Sequence, residues 1–412
     1  MQYGLIGEHL GHSYSPEIHG VFADYKYELK ELRPDEVGAF MTEKSFKAIN
    51  VTIPYKQDVI PYLDWISDRA KNIGAVNTIV NRDGKLYGYN TDFDGMAALA
   101  RRIGIEPKGK KALILGTGGT SKTAYAVLES MGAAEIYKVS RGGKDGAISY
   151  EEAVEKHADA QIIFNTTPAG MYPKVEGKAM ELSAFTKLEG VLDVVYNPLR
   201  TNLIIEAEER GIPAAGGLYM LSGQAVYACG WFLDRQMDEA DTDRAFKKIY
   251  DEKRNIVMIG MPSSGKSTVG AKLAELTGKK LVDTDALVIE KIGMPIADYF
   301  AQFGEAAFRA QEKAVIAELS VQNGLIIATG GGAVLDRENV IALKRNGTLV
   351  FLDRSPEKLI ATSDRPLSSD REALMKRYNE RYEIYKASAD IQVNGDKEVA
   401  EVAADVFEEL KK

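Results

Sequence analysis

The stretch that decides the fold of the C-terminal part is NIVMIGMPSSGKSTVGAKLAELTG, from Asn255 to Gly278. An apolar run, a loop of the form G-x-x-x-x-G-K-[ST] and a helix-period segment follow one another, which predicts a strand, a phosphate-binding loop and a helix. In such a loop, consecutive N–H groups point at phosphates beside a positive helix end. Lys266 is expected to contact the β- and γ-phosphates of ATP, and the Ser267 hydroxyl to ligate Mg²⁺. A glycine turn that merely caps a helix is the alternative, and the flanking strand and helix disfavour it. The predicted nucleotide contacts are Gly260, Gly265, Lys266, Ser267 and Thr268.

Similar apolar runs alternate with helix-period segments along the rest of the chain. They are KALILG, AEIYKVS, AQIIFN, GVLDVVY, GLIIATG and GTLVFLD. Such runs are typical of buried parallel strands, so we expect an α/β fold. A second glycine-rich turn opens a helix at Gly116, and two nucleotide sites in one chain imply two modules.

Bulk composition restricts the class of protein. The chain has 412 residues, 45% apolar and 27% charged, which indicates a globular protein of two or three domains. A net charge of −8 argues against nucleic-acid binding. Cys229 is the single cysteine, so no intramolecular disulfide can form and a reducing compartment is expected. The sequence has no recognisable signal peptide or stretch of about 20 apolar residues. We therefore expect a cytoplasmic protein without a membrane partner, and a homo-oligomer is compatible with the sequence.

Polar groups that follow the phosphate-binding loop indicate what accepts the phosphate. Asp283 and Asp285 end the predicted strand KKLVDTDA, where they could serve Mg²⁺ and a substrate hydroxyl. A helix N-cap formed by Thr284 or Asp285 is the alternative. Glu305 and Arg309 stand four residues apart and could form a plain surface ion pair. Gly330–Gly332 permits close approach of a ligand, although a loose turn would have the same composition.

Taken together, these motifs resemble the shikimate kinase family over nearly all of residues 255–412. They are GxxxxGKST, DTD, FGExxFRxxE, GGG, DRPL and ERxxxYxxxAD, in this order. The resemblance implies that Asp283 works with Mg²⁺ and that Asp285 binds shikimate hydroxyls and orients the attacking one. It further implies that Arg309 and Arg381 bind the shikimate carboxylate and that Gly331 and Gly332 contact its ring. Arg365 would lie on a lid and neutralise charge on the transferring phosphoryl group. Ser263 stands where the family usually has glycine.

The glycine-rich turn GTGGT in the N-terminal part follows the predicted strand KALIL. Gly116, Gly118 and Gly119 permit close approach of a pyrophosphate. The next predicted strand ends at Arg141, which suits the 2′-phosphate of NADP, and Lys144 adds positive charge. A solvated loop arginine is the alternative for Arg141.

Short polar motifs in the N-terminal part resemble the shikimate dehydrogenase family over about the first 240 residues. They are HSxSP, NVTxPxK, GAVNT, GxNTD, the GxGG turn, NTTPAGM, DxxYxPxxT and GxxMLxxQ. Taken singly, each polar residue in them could be a cap, a turn residue or an exposed side chain. The resemblance implies a catalytic pair, Lys56 and Asp92. It further implies carboxylate contacts from Ser13 and Ser15, other substrate contacts from Thr52, Asn77, Asp92, Tyr196 and Gln224, and nicotinamide contacts from Gly217 and Met220.

Ketone reduction explains why a lysine and an aspartate would work together. The carbonyl carbon takes a hydride and the developing alkoxide takes a proton, which a positioned ammonium can supply. A nearby carboxylate would bind a hydroxyl and orient the ammonium.

The two resemblances imply a specific organisation of the chain. They imply a substrate domain at 1–97 completed by a returning helix at about 217–240, a Rossmann-type NADP domain at 98–216, a connecting segment at 238–254 and a P-loop, nucleoside monophosphate kinase-like domain at 255–412. The implied function is NADPH-dependent reduction of 3-dehydroshikimate to shikimate, followed by MgATP-dependent phosphorylation to shikimate 3-phosphate.

Two other functions remain as alternatives. One is a quinate/shikimate dehydrogenase that uses NAD, and the other is a ligand-sensing regulator built from inactive modules. The regulator is disfavoured because the expected catalytic residues are present and no DNA-binding element is apparent. Those residues are Lys56, Asp92, Lys266, Asp285 and Arg309.

Overall fold

The computed structural model describes residues 1–11, 13–143, 146–359 and 371–412. It divides into two compact units, Met1–Tyr250 and Asp251–Lys412. The charged segment that follows residue 237 forms helix α9, Glu239–Lys253, on which Ala245 and Ile249 are buried. Within the described residues, no helix is long and apolar enough to cross a membrane.

The first unit begins with a mixed six-stranded sheet in the order β2-β1-β3-β5-β6-β4. β1 pairs in parallel with β2 and β3, whereas β5 runs antiparallel to β3 and β6. Alternating apolar residues such as Ile6, Ile49 and Ile79 bury one face of this sheet. The strands are β1 Tyr3–Gly7, β2 Tyr27–Glu31, β3 Ala48–Val51, β4 Trp65–Ile66, β5 Thr78–Arg82 and β6 Lys85–Tyr89, and the helices between them are α1 Ser15–His19, α2 Pro34–Glu43 and α3 Asp68–Ile73.

A second sheet, in the same unit, has five parallel strands in the order β11-β10-β9-β7-β8. Its central strands are continuous apolar runs because helices cover both faces of a parallel sheet. The strands are β7 Lys111–Leu115, β8 Glu135–Val139, β9 Ile162–Asn165, β10 Gly190–Asp193 and β11 Ala214–Ala215, with α5 Gly119–Ser130, α6 Tyr150–Lys156 and α7 Asn202–Glu209 between them.

Two helices, α4 Asp92–Arg102 and α8 Leu218–Leu233, pack closely against each other between these two sheets. Their close approach depends on Gly95, because a Cβ atom there would lie 2.5 Å from the carbonyl oxygen of Met220. The contact brings the start of α4 and one face of α8 to the same cavity.

The second unit is a parallel sheet in the order β13-β14-β12-β15-β16. Gly304, with a φ of 82°, kinks the long helix α12. The strands are β12 Asn255–Ile259, β13 Lys280–Asp283, β14 Leu325–Ala328, β15 Gly347–Asp353 and β16 Ile391–Asn394, and the helices are α10 Lys266–Thr277, α11 Thr284–Ile292, α12 Ile296–Ser320, α13 Arg337–Asn346, α14 Arg371–Ser388 and α15 Val399–Glu409. The predicted α/β class is confirmed, and every apolar run named above contains a strand.

Candidate active sites

A cavity of about 570 Å³ lies in the first unit and receives side chains from both of its sheets. All the residues predicted to contact the substrate or the nicotinamide, or to act in catalysis, in the N-terminal part line it. They are Ser13, Ser15, Thr52, Lys56, Asn77, Asp92, Tyr196, Gly217, Met220 and Gln224.

The centre of this cavity is a hydrogen-bonded triad of Lys56, Asp92 and Asn77. Lys56 Nζ lies 2.5 Å from Asp92 Oδ2, and Asn77 Nδ2 donates to Asp92 Oδ1 at 2.9 Å. Asp92 begins α4 and is only 7% exposed. Both oxygens of a buried carboxylate are thus engaged, and the positive helix end also favours its negative charge. Lys56 is held by the triad and is not a freely solvated surface lysine.

Asn50 supports the triad, and sequence reasoning gave it no role although it is the first residue of the NVTxPxK motif. It is 4% exposed and lines the cavity. Its amide nitrogen donates to the Asn77 carbonyl oxygen at 3.2 Å and to Thr78 Oγ1 at 3.1 Å. Its amide oxygen accepts from the Tyr27 hydroxyl at 2.8 Å. Asn50 therefore fixes the backbone that carries Asn77.

The glycine-rich turn lies where β7 ends and α5 begins. Gly116 has a φ of 108°, and a Cβ atom there would lie 3.0 Å from Thr166 Oγ1. Gly118 is the N-cap of α5 and Gly119 is its first residue. Thr120, which directly follows these glycines, and Thr166 line the cavity, so the turn lies at its edge. The site can therefore receive a phosphate group at a helix N-terminus.

Arg141 is exposed and lies just after β8. β8 pairs with β7, the strand that leads into the glycine-rich turn. Its guanidinium is accessible to a ligand lying along the ends of the strands. Lys144, the other predicted cation, lies outside the described residues.

Two residues of the DxxYxPxxT motif have a structural role. The Asp193 carboxylate is fully buried and accepts from Asn165 Nδ2 at 2.9 Å, from the Val195 amide at 2.9 Å and from Thr201 Oγ1 at 2.7 Å. Burial raises the pKa of Asp193 to about 7, while these three donors oppose the shift. The network fixes the loop that presents Tyr196 to the cavity.

A second cavity, of about 770 Å³, lies at the carboxyl ends of the strands of the second unit. Nearly all the residues predicted for the kinase site line it. They are Gly265, Lys266, Ser267, Thr268, Asp283, Asp285, Arg309, Gly331, Gly332 and Arg381. Gly260 lies at the start of the loop, where a Cβ atom would be 2.9 Å from the Leu352 carbonyl oxygen. Arg365 lies outside the described residues.

Lys266 is buried against its own loop. Its Nζ donates to the carbonyl oxygens of Gly260 at 3.0 Å and Met261 at 2.8 Å. These bonds keep the ammonium beside the loop amides, where a phosphate chain would lie.

Ser267 and Asp283, the two residues predicted to hold a metal ion, lie in hydrogen-bond contact. Ser267 Oγ donates to Asp283 Oδ2 at 2.6 Å. The other oxygen of Asp283 caps α11, because Oδ1 accepts from the Asp285 amide at 2.9 Å and the Ala286 amide at 3.3 Å. The helix cap considered for Thr284 or Asp285 is therefore Asp283. In the described ranges, no group of three or more His, Cys, Asp or Glu side chains could hold a metal alone. This sparse donor set suits Mg²⁺, which binds proteins through one or two oxygens plus substrate phosphates.

Arg309 is fixed by two glutamates of its own helix. Its guanidinium contacts Glu312 Oε2 at 2.7 Å and Glu305 Oε1 at 3.1 Å. Glu312 is 1% exposed, and burial raises the pKa of its carboxyl while Arg309 opposes that shift. The ion pair with Glu305 is present, but the pair with buried Glu312 makes Arg309 more than a surface residue. A Cβ atom on Gly332 would lie 2.2 Å from Arg309 Nη1, so a side chain there would displace the guanidinium from its present position.

Arg381 and Tyr385 hold the triple-glycine turn from α14. Both donate to the carbonyl oxygen of Gly331, Arg381 Nη1 at 3.0 Å and the Tyr385 hydroxyl at 2.5 Å. Tyr385 is fully buried and stacks on Phe351. Its role was not predicted, because a tyrosine one turn beyond Arg381 is equally compatible with plain core packing.

Ser263 occupies the left-handed region of the backbone with a φ of 65°. This conformation favours glycine, which accounts physically for the glycine that the resemblance leads one to expect there. The loop thus has a positive φ at this position although the residue there is a serine, whose backbone is strained in that conformation.

Comparisons with known proteins match both units. A shikimate kinase family model matches residues 262–411, and a model of the shikimate dehydrogenase substrate binding domain matches residues 5–79. A shikimate dehydrogenase (NADP(+)) from Clostridium beijerinckii is 38% identical over 265 residues, covering 61% of this chain and 98% of that protein.

Solved structures resemble the first unit. A chorismate mutase/shikimate 5-dehydrogenase fusion protein from Clostridium acetobutylicum is 34% identical with a TM-score of 0.57, covering 60% of this chain and 96% of that one. Shikimate 5-dehydrogenase from Thermus thermophilus, solved with NADP(H) and shikimate, is 27% identical with a TM-score of 0.54, covering 60% of this chain and 99% of that one. The chain therefore belongs to the shikimate dehydrogenase family and also carries a shikimate kinase domain, which makes it a bifunctional enzyme of the shikimate pathway.

Proposed function

We propose that the first unit reduces 3-dehydroshikimate with NADPH and that Lys56 supplies the proton. The Lys56–Asp92–Asn77 triad is the observation that carries this proposal. The dinucleotide supplies the hydride when bound. Lys56 Nζ then gives a proton to the carbonyl oxygen as negative charge develops there, and Asp92 keeps the ammonium in position.

Polar side chains that line the same cavity orient the substrate in the first unit. Ser13 and Ser15 lie at the start of α1 and supply hydroxyl donors for the substrate carboxylate. Asn77 and Asp92 bind ring hydroxyls beside the reacting carbon, together with Thr52, Tyr196 and Gln224. Gly217 and Met220 form the wall against which the nicotinamide packs.

The second unit phosphorylates a shikimate hydroxyl in this proposal. Asp285 orients the hydroxyl, and Arg309 and Arg381 bind the carboxylate through their planar guanidinium groups. Gly331 and Gly332 leave room for the ring. Lys266 neutralises charge on the phosphate chain, and Ser267 with Asp283 would hold Mg²⁺, which supplies Lewis acidity at the phosphate when bound. Arg365 is proposed to act on the transferring group.

A two-stage assay on the purified chain tests this function. Addition of 3-dehydroshikimate should oxidise NADPH, and later addition of MgATP should convert the shikimate formed into shikimate 3-phosphate, followed by mass spectrometry. Absence of NADPH oxidation would refute the first role. ADP formation that does not depend on shikimate would refute the second.

Cofactor choice is proposed to depend on Arg141. The exposed guanidinium would pair with the 2′-phosphate of NADPH, so Arg141→Ala should raise KM for NADPH by about tenfold, the loss of roughly one charge-assisted hydrogen bond. KM for NADH should stay unchanged. Equal kcat/KM for NADH and NADPH in the unaltered protein would contradict this assignment, and kinetics with quinate and NAD would then decide for a quinate/shikimate dehydrogenase.

A further inference from the structure

Arg354 directly follows β15 and lies beside the phosphate-binding loop. β15 pairs in parallel with β12, with Phe351 opposite Ile259. The residues that follow these two strands therefore lie at the same edge of the sheet, where ligands of open α/β sheets bind. The segment that carries Arg354 runs alongside the loop from Gly260 to Ser267.

The guanidinium of Arg354 reaches the last glycine of that loop. Its Nη1 lies 3.6 Å from the position that a Cβ atom would take on Gly265. Gly265 has a φ of 91° and directly precedes Lys266. Both residues line the 770 Å³ cavity together with Arg354. A permanent positive charge thus lines the same cavity as the phosphate-binding loop and Lys266.

One N–H donor of Arg354 has no partner among the described protein groups. Its Nε is buried and has no hydrogen-bond partner in the part of the chain that the structure describes. Asp396 is a nearby carboxylate, but its Oδ1 accepts the Ser355 amide at 2.9 Å. That backbone hydrogen bond is the main reason why the pKa of Asp396 is lowered, and the charge of Arg354 contributes less. A guanidinium offers five N–H donors, and an anion in the cavity would use those that the protein does not.

We propose that Arg354 binds the polyphosphate chain of the nucleotide, as an additional cation beside Lys266. The proposal rests on the proposed kinase function and adds a residue to its nucleotide site. Arg354 lies at Gly265, whereas Arg309 and Arg381 lie at Gly332 and Gly331 on the acceptor side. Arg354 would then serve the phosphate chain on one side of the cavity, while Arg309 and Arg381 serve the carboxylate on the other.

Calorimetric titration of the full-length chain with ADP and, separately, with inorganic triphosphate tests the proposal. Arg354→Ala should raise the dissociation constants of both ligands by about tenfold or more, as expected for loss of a charge-assisted contact. Arg354→Lys keeps the charge and should recover part of the affinity. Arg337→Ala, at the exposed start of α13 and outside the cavity, is the matched control and should bind both ligands normally. Shikimate affinity and dehydrogenase activity should stay unchanged in all three variants.

The possible failures are distinguishable. Unchanged binding of both ligands by Arg354→Ala, with normal binding by the unaltered protein, would overturn the role of Arg354 alone. Weakened ADP binding with unchanged triphosphate binding would also overturn it, because the contact would then be to the nucleoside. Failure of the unaltered protein to bind either ligand would overturn the kinase function together with this inference.

Discussion

The two candidate sites hold the lysines proposed for catalysis in different ways. Lys56 pairs with Asp92, which stands 36 residues further along the chain and begins another helix. Lys266 instead donates to carbonyl oxygens five and six residues away in its own loop. Arg309 likewise contacts glutamates three and four residues away on one helix. The first site is thus built by tertiary contacts between elements, whereas much of the second is built by local contacts within a loop and a helix.

This difference predicts where each site is most sensitive to substitution. Removing one member of the first site should disturb partners on other elements. Removing one member of the second should affect ligand binding more than folding.

Lys56→Met gives the largest expected effect. Without its ammonium, no positioned donor supplies the proton, so dehydrogenase kcat should fall by about 10²- to 10⁴-fold. The kinase rate of the same protein should not change. Steady-state kinetics of both reactions check this, with Lys71→Met, an exposed lysine of α3, as the control. Retention of more than a tenth of the dehydrogenase kcat would remove Lys56 from the proposed role.

Arg309→Lys should produce the next largest effect, in the second site. Lysine cannot reproduce the planar fork, so KM for shikimate should rise by roughly 10- to 100-fold, equivalent to about 1.5–3 kcal/mol. KM for ATP should stay nearly constant. Glu305→Gln, which removes the exposed partner of Arg309, should change KM for shikimate little, since exposed ion pairs contribute about 0–1 kcal/mol. A rise in KM for ATP alone in Arg309→Lys would mean that Arg309 binds the nucleotide and not shikimate.

Asn50→Ala tests whether the first site is supported from outside the triad. Its loss removes three side-chain hydrogen bonds from a largely buried network, to Tyr27, Asn77 and Thr78, so the free energy of unfolding should fall by about 1–3 kcal/mol. Dehydrogenase kcat should fall by roughly tenfold through misplacement of Asn77 and Asp92.

The matched control for Asn50 is Asn81→Ala. Asn81 Nδ2 also makes two hydrogen bonds to carbonyl oxygens, of Lys44 and Phe46, but the residue does not line the cavity. The Asn81→Ala substitution should lower the free energy of unfolding while dehydrogenase kcat stays unchanged. Equal kcat losses in the two variants would reduce Asn50 to a purely structural residue.

Ser263→Gly should have the smallest effect. Glycine relieves the left-handed strain, which costs a non-glycine residue about 1–2 kcal/mol, but it also increases the entropy of the unfolded chain by roughly 0.5–1 kcal/mol. Denaturant unfolding should therefore show a stability gain of at most about 1 kcal/mol. Ser264→Gly, at the neighbouring position outside the positive-φ region, should give no gain. A clear loss of stability in Ser263→Gly would show that the serine side chain contributes more than its backbone costs.

The same contrast explains what could be predicted from sequence. The phosphate-binding loop is contiguous, so its residues and the strand and helix around it were predicted from one motif. The Lys56–Asp92 pair required several motifs, because nothing local to Lys56 indicates its partner. Asn50 and Tyr385 stand in quoted motifs, but their roles were not predicted because a buried asparagine or tyrosine acquires its role from groups far along the chain. Arg354 was missed because an arginine after a strand is ordinarily solvated, and only the pairing of β15 with β12 brings it to the loop.

The central claim is that one chain carries two independent sites, and mixing two single variants tests it most directly. Lys56→Met alone, given 3-dehydroshikimate, NADPH and MgATP, should form shikimate 3-phosphate only at its residual rate of shikimate production, about 10²- to 10⁴-fold below normal. Lys266→Ala alone should accumulate shikimate. An equimolar mixture of the two proteins should form shikimate 3-phosphate, because each supplies the step that the other lacks. Loss of both steps in either variant, with both proteins folded, would contradict the account.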